Sequence, residues 1–166
     1  MDIFANGDTY QGEFKEGKSH GRGQYTWSID NSSYMGEFRE GLKHGKGRWK
    51  SGLGAVGSIN QYEGDYESDK KHGYGVFMWA SGNLYKGEYR EDERHGFGEM
   101  NWTDGTRYVG DWCHGIQHGK GQMVLPNGSL KEGYFECNVY KGPINSIELQ
   151  LLRQQTESFE KDAARY

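Results

Sequence analysis

The sequence predicts an all-β fold, an elongated single-layer twisted antiparallel sheet of stacked β-hairpins, followed by a C-terminal amphipathic α-helix. One motif recurs five times in residues 1–142: a tyrosine, a glycine two residues later, an acid and an aromatic residue, and then His-Gly-x-Gly. A short fixed period indicates an array of like units. Residues 145–166 contain neither glycine nor proline, and their apolar residues recur with helical spacing.

The repeats define the domain organisation. The complete copies begin at Tyr10, Tyr34, Tyr62, Tyr85 and Tyr108. A sixth, weaker copy begins at Lys131, where the tyrosine is replaced, and a partial copy precedes the first. We therefore assign residues 1–142 to the repeat array and residues 143–166 to a C-terminal helix and tail.

Composition alone would favour disorder, because only 33% of the 166 residues are apolar, 27 are glycine and the mean hydropathy is −1.01. The aromatic content of 14% argues against it. Aromatic residues at fixed repeat positions each bury a large area, so neighbouring copies can stabilise one another. The chain should fold through contacts between adjacent repeats.

A single copy has the pattern of a β-hairpin. Tyr85–Tyr89 and Gly96–Trp102 alternate as strands around a polar turn. Because alternate side chains of a strand share a face, the equivalent positions of all copies predict one aromatic and methionine stripe. The stripe includes Tyr25, Trp27, Trp49, Phe77, Trp79, Met100 and Trp102.

The glycines of the motif predict the strand register. If the turn centres between Glu91 and Asp92, Gly87 lies opposite Gly96 and Tyr85 lies opposite Gly98. The tyrosine ring could then fold across a strand that has no side chain at that point. Larger residues at these glycines should disrupt the array.

The same register places the acid of each copy opposite the histidine, as in Glu88 and His95. We interpret this as a structural cross-strand pair, because it recurs in every copy. A metal ladder is disfavoured, since the histidines are spread along the array, and a catalytic pair lacks a nucleophile or third orienting group. We expect no catalytic residues, no metal site, no cofactor and no enzymatic activity.

The array is interrupted once, by a glycine-rich insertion at residues 51–61 that predicts a longer loop protruding at one edge. The tail predicts a helix with Asn145 as N-cap. Two roles are open for this helix: a cap that folds back over the last hairpin, or a surface for self-association or for docking on the stripe of another molecule. Its predicted packing residues are Ile147, Leu149, Leu151, Leu152 and Phe159.

Charge and hydropathy narrow the classes of partner. The net charge of −4 and the absence of a basic run argue against nucleic-acid binding. Lipid binding is not favoured, because lysine and arginine alternate with acids. No apolar run reaches the length of a membrane span. The two cysteines have no metal-ligand spacing, and we expect both to be free thiols in a reducing compartment. The expected location is therefore the cytoplasm.

The unit Tyr-x-Gly-Glu-(Phe/Tyr/Trp)-x-x-Gly-x-x-His-Gly-x-Gly resembles the MORN repeat (membrane occupation and recognition nexus). The resemblance covers about residues 1–142. It implies a single-layer sheet of hairpins that serves as a recognition or scaffolding module, as in ciliary and cytoskeletal scaffolds, radial-spoke heads, junctophilins and myosin adaptors. Catalysis, where such proteins have it, is supplied by a separate domain.

By this resemblance, the expected function is a non-enzymatic scaffold or adaptor that binds a helical or extended protein segment along the aromatic stripe. A cytoskeletal or ciliary assembly is the expected setting, with the cell cortex as another. The tail helix from Ile147 to Phe159 is expected to occupy part of the stripe, and a homodimer could form through this helix or the array end. The alternatives are a peripheral phosphoinositide-binding module and a regulatory array of a larger enzyme.

Overall fold

In this computed structural model, residues 1–52 and 58–164 are described, so residues 53–57 of the predicted insertion loop at 51–61 lie outside the described residues. The strands form one open antiparallel sheet in which their spatial order is their order in the chain, and one helix follows. The predicted all-β fold with a C-terminal helix is confirmed. The elements are β1 (Asp2–Ile3), β2 (Thr9–Lys15), β3 (Lys18–Thr26), β4 (Ser33–Arg39), β5 (Leu42–Lys50), β6 (Gln61–Glu67), β7 (Lys70–Met78), β8 (Leu84–Arg90), β9 (Glu93–Asn101), β10 (Arg107–Cys113), β11 (Ile116–Val124), β12 (Leu130–Glu136), β13 (Val139–Gly142) and α1 (Ser146–Ala163).

The chain divides into two compact units, which are described separately. The first unit, Met1–Ser81, contains β1 to β7, and the second unit, Gly82–Tyr166, contains β8 to β13 and α1. Each motif tyrosine opens a hairpin made of a seven-residue and a nine-residue strand. One repeat of the motif therefore corresponds to one hairpin.

The predicted register is wrong by two residues, as the hairpin β8–β9 shows. Its turn does centre on Glu91 and Asp92, whose φ values of 48° and 72° suit a two-residue hairpin turn. Beyond the turn, however, Gly87 pairs with Gly98 and Tyr85 with Met100. The shift arises because the register is irregular at Glu88, which faces three residues of β9 instead of one.

A hydrogen bond from the backbone to the Glu88 side chain holds this bulge. Glu88 Oε2 accepts a hydrogen bond of 2.5 Å from the backbone N–H of Phe97, which lies two residues after the histidine. The four other copies repeat this bond at 2.5–3.0 Å. The predicted pairing of the acid with the histidine is therefore wrong: the acid satisfies a main-chain donor that the bulge removes from the sheet ladder. Gly96 sits inside the bulge with φ +66°, a conformation that favours glycine.

The motif tyrosines form the core of each hairpin. All five are at most 1% exposed. Each hydroxyl donates a hydrogen bond of 2.7–2.9 Å to the backbone carbonyl of the acid three residues later. Each ring lies over the glycine of the second strand, as Tyr85 lies over Gly98. As predicted, the tyrosine ring covers a strand position that has no side chain. The glycine at that position is the diagonal neighbour of the tyrosine and not its direct cross-strand partner.

Rings from neighbouring hairpins continue this core. In the first unit, Phe38 contacts both Tyr10 and Tyr34 edge to face, with centroids 5.3 and 5.1 Å apart. In the second unit, Trp112 contacts Tyr85 and Tyr108 in the same way, at 5.5 and 5.2 Å. Edge-to-face contacts at these distances add to the stability gained by burial alone. The aromatic residue of one copy thus packs between the tyrosine of its own copy and the tyrosine of the preceding copy.

Candidate partner-binding surface

One face of the sheet in the first unit is lined by rings. In the register of β2 to β7, Tyr10, Tyr25, Tyr34, Trp49, Tyr62 and Phe77 form one cross-strand row. Cross-strand partners point to the same side of a sheet, so we call this side the aromatic face and the opposite side the back face. The motif glycines lie on the aromatic face as well, which leaves room for the tyrosine rings to lie flat.

Five predicted partner-binding residues lie on or beside the aromatic face of the first unit, and all are half-buried. Tyr25 and Trp27 have ring centroids 4.8 Å apart. Phe77 lies 4.6 Å from Trp79 and 6.3 Å from Trp49. These rings therefore keep part of their surface in water while their edges are held by neighbours.

The two predicted residues of the second unit differ from each other. Met100 pairs with Tyr85 and Tyr108 and is only 5% exposed, so it is a core residue with little surface for a partner. Trp102 follows β9 and is half-buried. Of the predicted stripe, the aromatic face of the first unit is the larger accessible part.

Two lysines lie over the rings of the first unit. The Lys43 ammonium is 5.5 Å from the Trp27 ring and 5.1 Å from the Tyr66 ring. The Lys71 ammonium is 5.7 Å from the Tyr62 ring and 5.6 Å from the Phe77 ring. These are cation–π distances. The aromatic face therefore carries positive charge at defined points.

The Asp8 carboxylate lies beside the aromatic face and is enclosed. Asp8 accepts hydrogen bonds from the Tyr25 hydroxyl at 2.6 Å and from the backbone N–H and the hydroxyl of Ser28. The bond from Tyr25 holds the pKa of Asp8 below its ordinary value. Burial, together with the Asp8 charge, raises the pKa of Tyr25 to about 12. Tyr25 thus stays a neutral donor, and its ring is anchored at the hydroxyl end.

Comparison with known families agrees with this geometry. The model of the MORN repeat matches residues 10–32, 34–52, 62–84, 85–107 and 108–130, and each match begins at a motif tyrosine. The chain belongs to the MORN-repeat family. No curated protein matches the chain significantly. MORN repeats indicate a repeat-type module that binds proteins or associates with membranes, and such scaffolds are typically non-enzymatic.

Two further observations on this MORN array concern metal sites and membrane-spanning helices. Within residues 1–52 and 58–164, no group of three or more His, Cys, Asp or Glu side chains is arranged to hold a metal ion. In the same part of the chain, no helix is both long and apolar enough to cross a membrane.

The helix α1 packs on the back face of the MORN sheet in the second unit. Asn145 caps it as predicted, since its side chain accepts a 2.8 Å hydrogen bond from the Glu148 N–H. Leu152 is buried against Phe97 and Val109. These two sheet residues alternate with Gly98 and Tyr108, so they lie on the side opposite the tyrosines.

Ion pairs surround this small apolar contact. Arg153 binds Glu132 through two hydrogen bonds, of 2.9 and 3.1 Å, and this contact lowers the pKa of Glu132. Arg107 donates to Glu99 on the sheet and to Glu160 on the helix, at 2.5 and 2.6 Å. The helix is thus attached to the second unit by a few apolar side chains and a rim of charged groups.

The predicted docking of the tail helix in the aromatic stripe is wrong for this molecule, because α1 lies on the back face. Leu152 is buried, Leu149 and Phe159 are half-buried, and Phe159 meets the Phe97 ring at 5.3 Å. Ile147 and Leu151 were also predicted to pack, but they are 72% and 58% exposed. They extend the apolar stripe of the helix around its side and away from the sheet.

Phe97 and Val109 are the docking residues that the sequence analysis missed. At the position of Phe97, the other copies have Arg22, Lys46, Tyr74 and Lys120. A phenylalanine at a repeat position that is basic in three of the other four copies was the signal for a covered patch. Comparing the copies column by column on the back face would have detected it.

The docked helix allows a matched test with two adjacent leucines. We expect Leu152→Ala to weaken docking by about 2–5 kcal/mol, because a buried leucine is lost from a small core. Leu151→Ala, at an exposed site, should change it by less than about 0.5 kcal/mol. Hydrogen exchange of the α1 amides measures the difference. Equal exchange in the two variants would show that the helix is not held by Leu152.

Proposed function

We propose that the protein is a non-enzymatic scaffold or adaptor that binds a helical or extended partner segment along the aromatic face of its first unit. The observation that supports this most is the set of half-buried rings of Tyr25, Trp27, Trp49, Phe77 and Trp79. Rigid aromatic side chains with remaining exposed area are the usual anchors of protein interfaces. A cytoskeletal or ciliary assembly is the setting that we propose for it.

The packing of this surface supports the proposal. The rings are held in place from the side, because the buried tyrosines of the same cross-strand row are fixed by hydroxyl and edge-to-face contacts. A preorganised surface loses little side-chain entropy when a partner docks. The helix of the same chain packs on the back face of the second unit.

A peptide-display selection tests the proposal and does not require the natural partner. Random peptides of about 16 residues, enough for about four helical turns, would be selected on the full chain. We expect the selected peptides to lose about tenfold or more in affinity on Trp79→Ala or Trp27→Ala, a loss of about 1.4 kcal/mol or more. Circular dichroism and melting would establish that the variants keep their fold.

The matched control is Met35→Ala. Met35 is an apolar residue of the same unit, 61% exposed, and it pairs with Gln24 and Arg48 on the back face. Its removal should leave peptide binding unchanged. The proposal fails if the tryptophan variants bind the selected peptides as tightly as the original chain. Dimerisation through α1 or the sheet end stays a prediction, so light scattering should accompany each binding measurement.

The membrane alternative has its own outcome. Vesicles containing phosphoinositide would be sedimented with the full chain and with Trp79→Ala. Sedimentation that depends on Trp79, in the absence of any selected peptide, would favour a membrane-associated module. We expect no sedimentation, since the net charge of the chain is −4.

A further inference from the structure

We infer that the sixth copy, residues 131–142, closes the sheet: its substitutions remove what a further hairpin needs and turn the chain onto the back face, where α1 docks. The inference is independent of the proposed function, because it concerns the end of the sheet and not the aromatic face of the first unit. Among the described strands, β13 lies at the edge and pairs with β12 alone. An open edge invites pairing with a second copy of the chain, and the sixth copy prevents it.

The sixth copy lacks the hydrogen bond that holds the bulge in the five complete copies. In each of those, the acid accepts the backbone N–H of the residue nine positions later, as Asp111 does from Lys120 at 3.0 Å. In the sixth copy Tyr134 replaces the acid, and the residue nine positions later is Pro143, which has no N–H. Acceptor and donor are therefore lost together. Loss of one alone would leave a polar group without its partner.

The chain beyond β13 does not offer a strand for pairing. In the first, second, fourth and fifth copies, the second strand pairs with the next hairpin through six residues, such as residues 119–124 of β11. The equivalent residues of the sixth copy are 142–147. Of these, Gly142 ends β13, Pro143 lacks an N–H, and Ser146 and Ile147 belong to α1. The residues that would receive a next strand are thus a linker and the start of a helix.

The ring contact between copies ends here as well. Tyr108 of the fifth copy packs edge to face against Phe135 of the sixth, with centroids 4.9 Å apart. At the position of Tyr108 the sixth copy has Lys131, so the aromatic residue of a further hairpin would meet no tyrosine. Tyr140 completes the row of rings instead. Its ring lies 5.3 Å from Phe135, and its hydroxyl donates to the Glu132 carbonyl at 3.1 Å.

The residue that replaces the acid also directs the chain to the back face. The Tyr134 hydroxyl donates to the Glu148 carboxylate at 3.0 Å, and the Lys120 ammonium lies 3.4 Å from the same carboxylate. Glu148 lies in the first turn of α1, whose N-cap Asn145 follows Pro143 by two residues. The substitutions that end the strand therefore also hold the start of the helix.

Restoring two residues of the fifth copy tests the inference on the full chain. The double variant Tyr134→Asp with Pro143→Lys regains the acceptor and the donor that Asp111 and Lys120 provide. We expect β13 to lengthen, the start of α1 to leave the back face, and the new edge to pair with a second copy. Light scattering should give about twice the mass of the original chain at the same concentration. The α1 amides should exchange with solvent about tenfold faster.

The single variants are the matched controls. Tyr134→Asp supplies an acceptor without a donor, and Pro143→Lys supplies a donor without an acceptor. Each should keep the mass of the original chain, because only the two together form the bond. A gain in mass by either single variant, as large as that of the double variant, would show that the two positions do not act as a pair and would refute the inference.

Hydrogen exchange of the original chain gives a second measurement that needs no variant and decides even if the double variant does not fold. The amides of β13 should exchange at a rate that is independent of protein concentration. Protection that rises with concentration would show that β13 already pairs with a second copy, and the inference would be wrong. It would be equally wrong if the double variant, folded by circular dichroism, kept the mass and the α1 protection of the original chain.

Discussion

Gly98→Val is expected to unfold the hairpin β8–β9. A Cβ at Gly98 would lie 2.7 Å from Cε2 and Cζ of Tyr85. The Tyr85 ring has nowhere to move, since it is fully buried and its hydroxyl donates to the Glu88 carbonyl at 2.8 Å. Overpacking of this kind costs about 3 kcal/mol. The melting temperature should fall by roughly 10 °C, which a calorimetric scan measures.

A valine on the other face of the same hairpin is the control. Lys86 lies next to Gly87 in β8 and pairs with Glu99 on the back face. Lys86→Val should leave the melting temperature within a few degrees, because no tyrosine ring covers that position and valine suits a strand. Gly75→Val should repeat the effect of Gly98→Val in the first unit, where the ring of Tyr62 covers the glycine. An unchanged melting temperature for both glycine variants would show that the tyrosine ring does not need a strand position without a side chain.

Tyr108→Ala is expected to have a comparable effect through lost burial. The Tyr108 ring is fully buried and meets Trp112 and Phe135 edge to face at 5.2 and 4.9 Å. Removing a large buried ring costs about 3–5 kcal/mol. Urea unfolding of the second unit, followed by tryptophan fluorescence of Trp112, measures this loss.

The conservative variant separates the ring from its hydroxyl. Tyr108→Phe keeps the edge-to-face contacts and removes the 2.8 Å hydrogen bond to the Asp111 carbonyl. A single hydrogen bond of this kind contributes about 1 kcal/mol. If Tyr108→Phe were as destabilising as Tyr108→Ala, the hydroxyl and not the ring would hold the copies together.

Local chemistry made most of the hairpin predictable, but not its register. The turn at Glu91 and Asp92 was located correctly, because polar residues and glycine-rich flanks mark it. The bulge at Glu88 was missed, since a three-to-one pairing cannot be read from strand alternation, and this error moved Gly87 and Tyr85 by two positions. The role predicted for the acid was wrong for the same reason. The predicted register paired the acid with the histidine, which the bulge moves away from that position.

The side on which the helix packs was unpredictable for another reason. An amphipathic pattern shows which residues of α1 are apolar, but not which face of a two-sided sheet receives them. The aromatic stripe looked like the more apolar choice. Phe97 and Val109 decide in favour of the back face, and the ion pairs of Arg153 and Arg107 orient the helix there.

The hydroxyl bond of each motif tyrosine closes within three residues of its own copy. Removing or duplicating a segment from one tyrosine to the next would therefore leave the same bonds in every remaining copy. The extent of the ring-lined face is thus an adjustable quantity, which gene duplication or protein design can change in steps of one hairpin. A longer ring-lined face needs only further copies and no new type of contact.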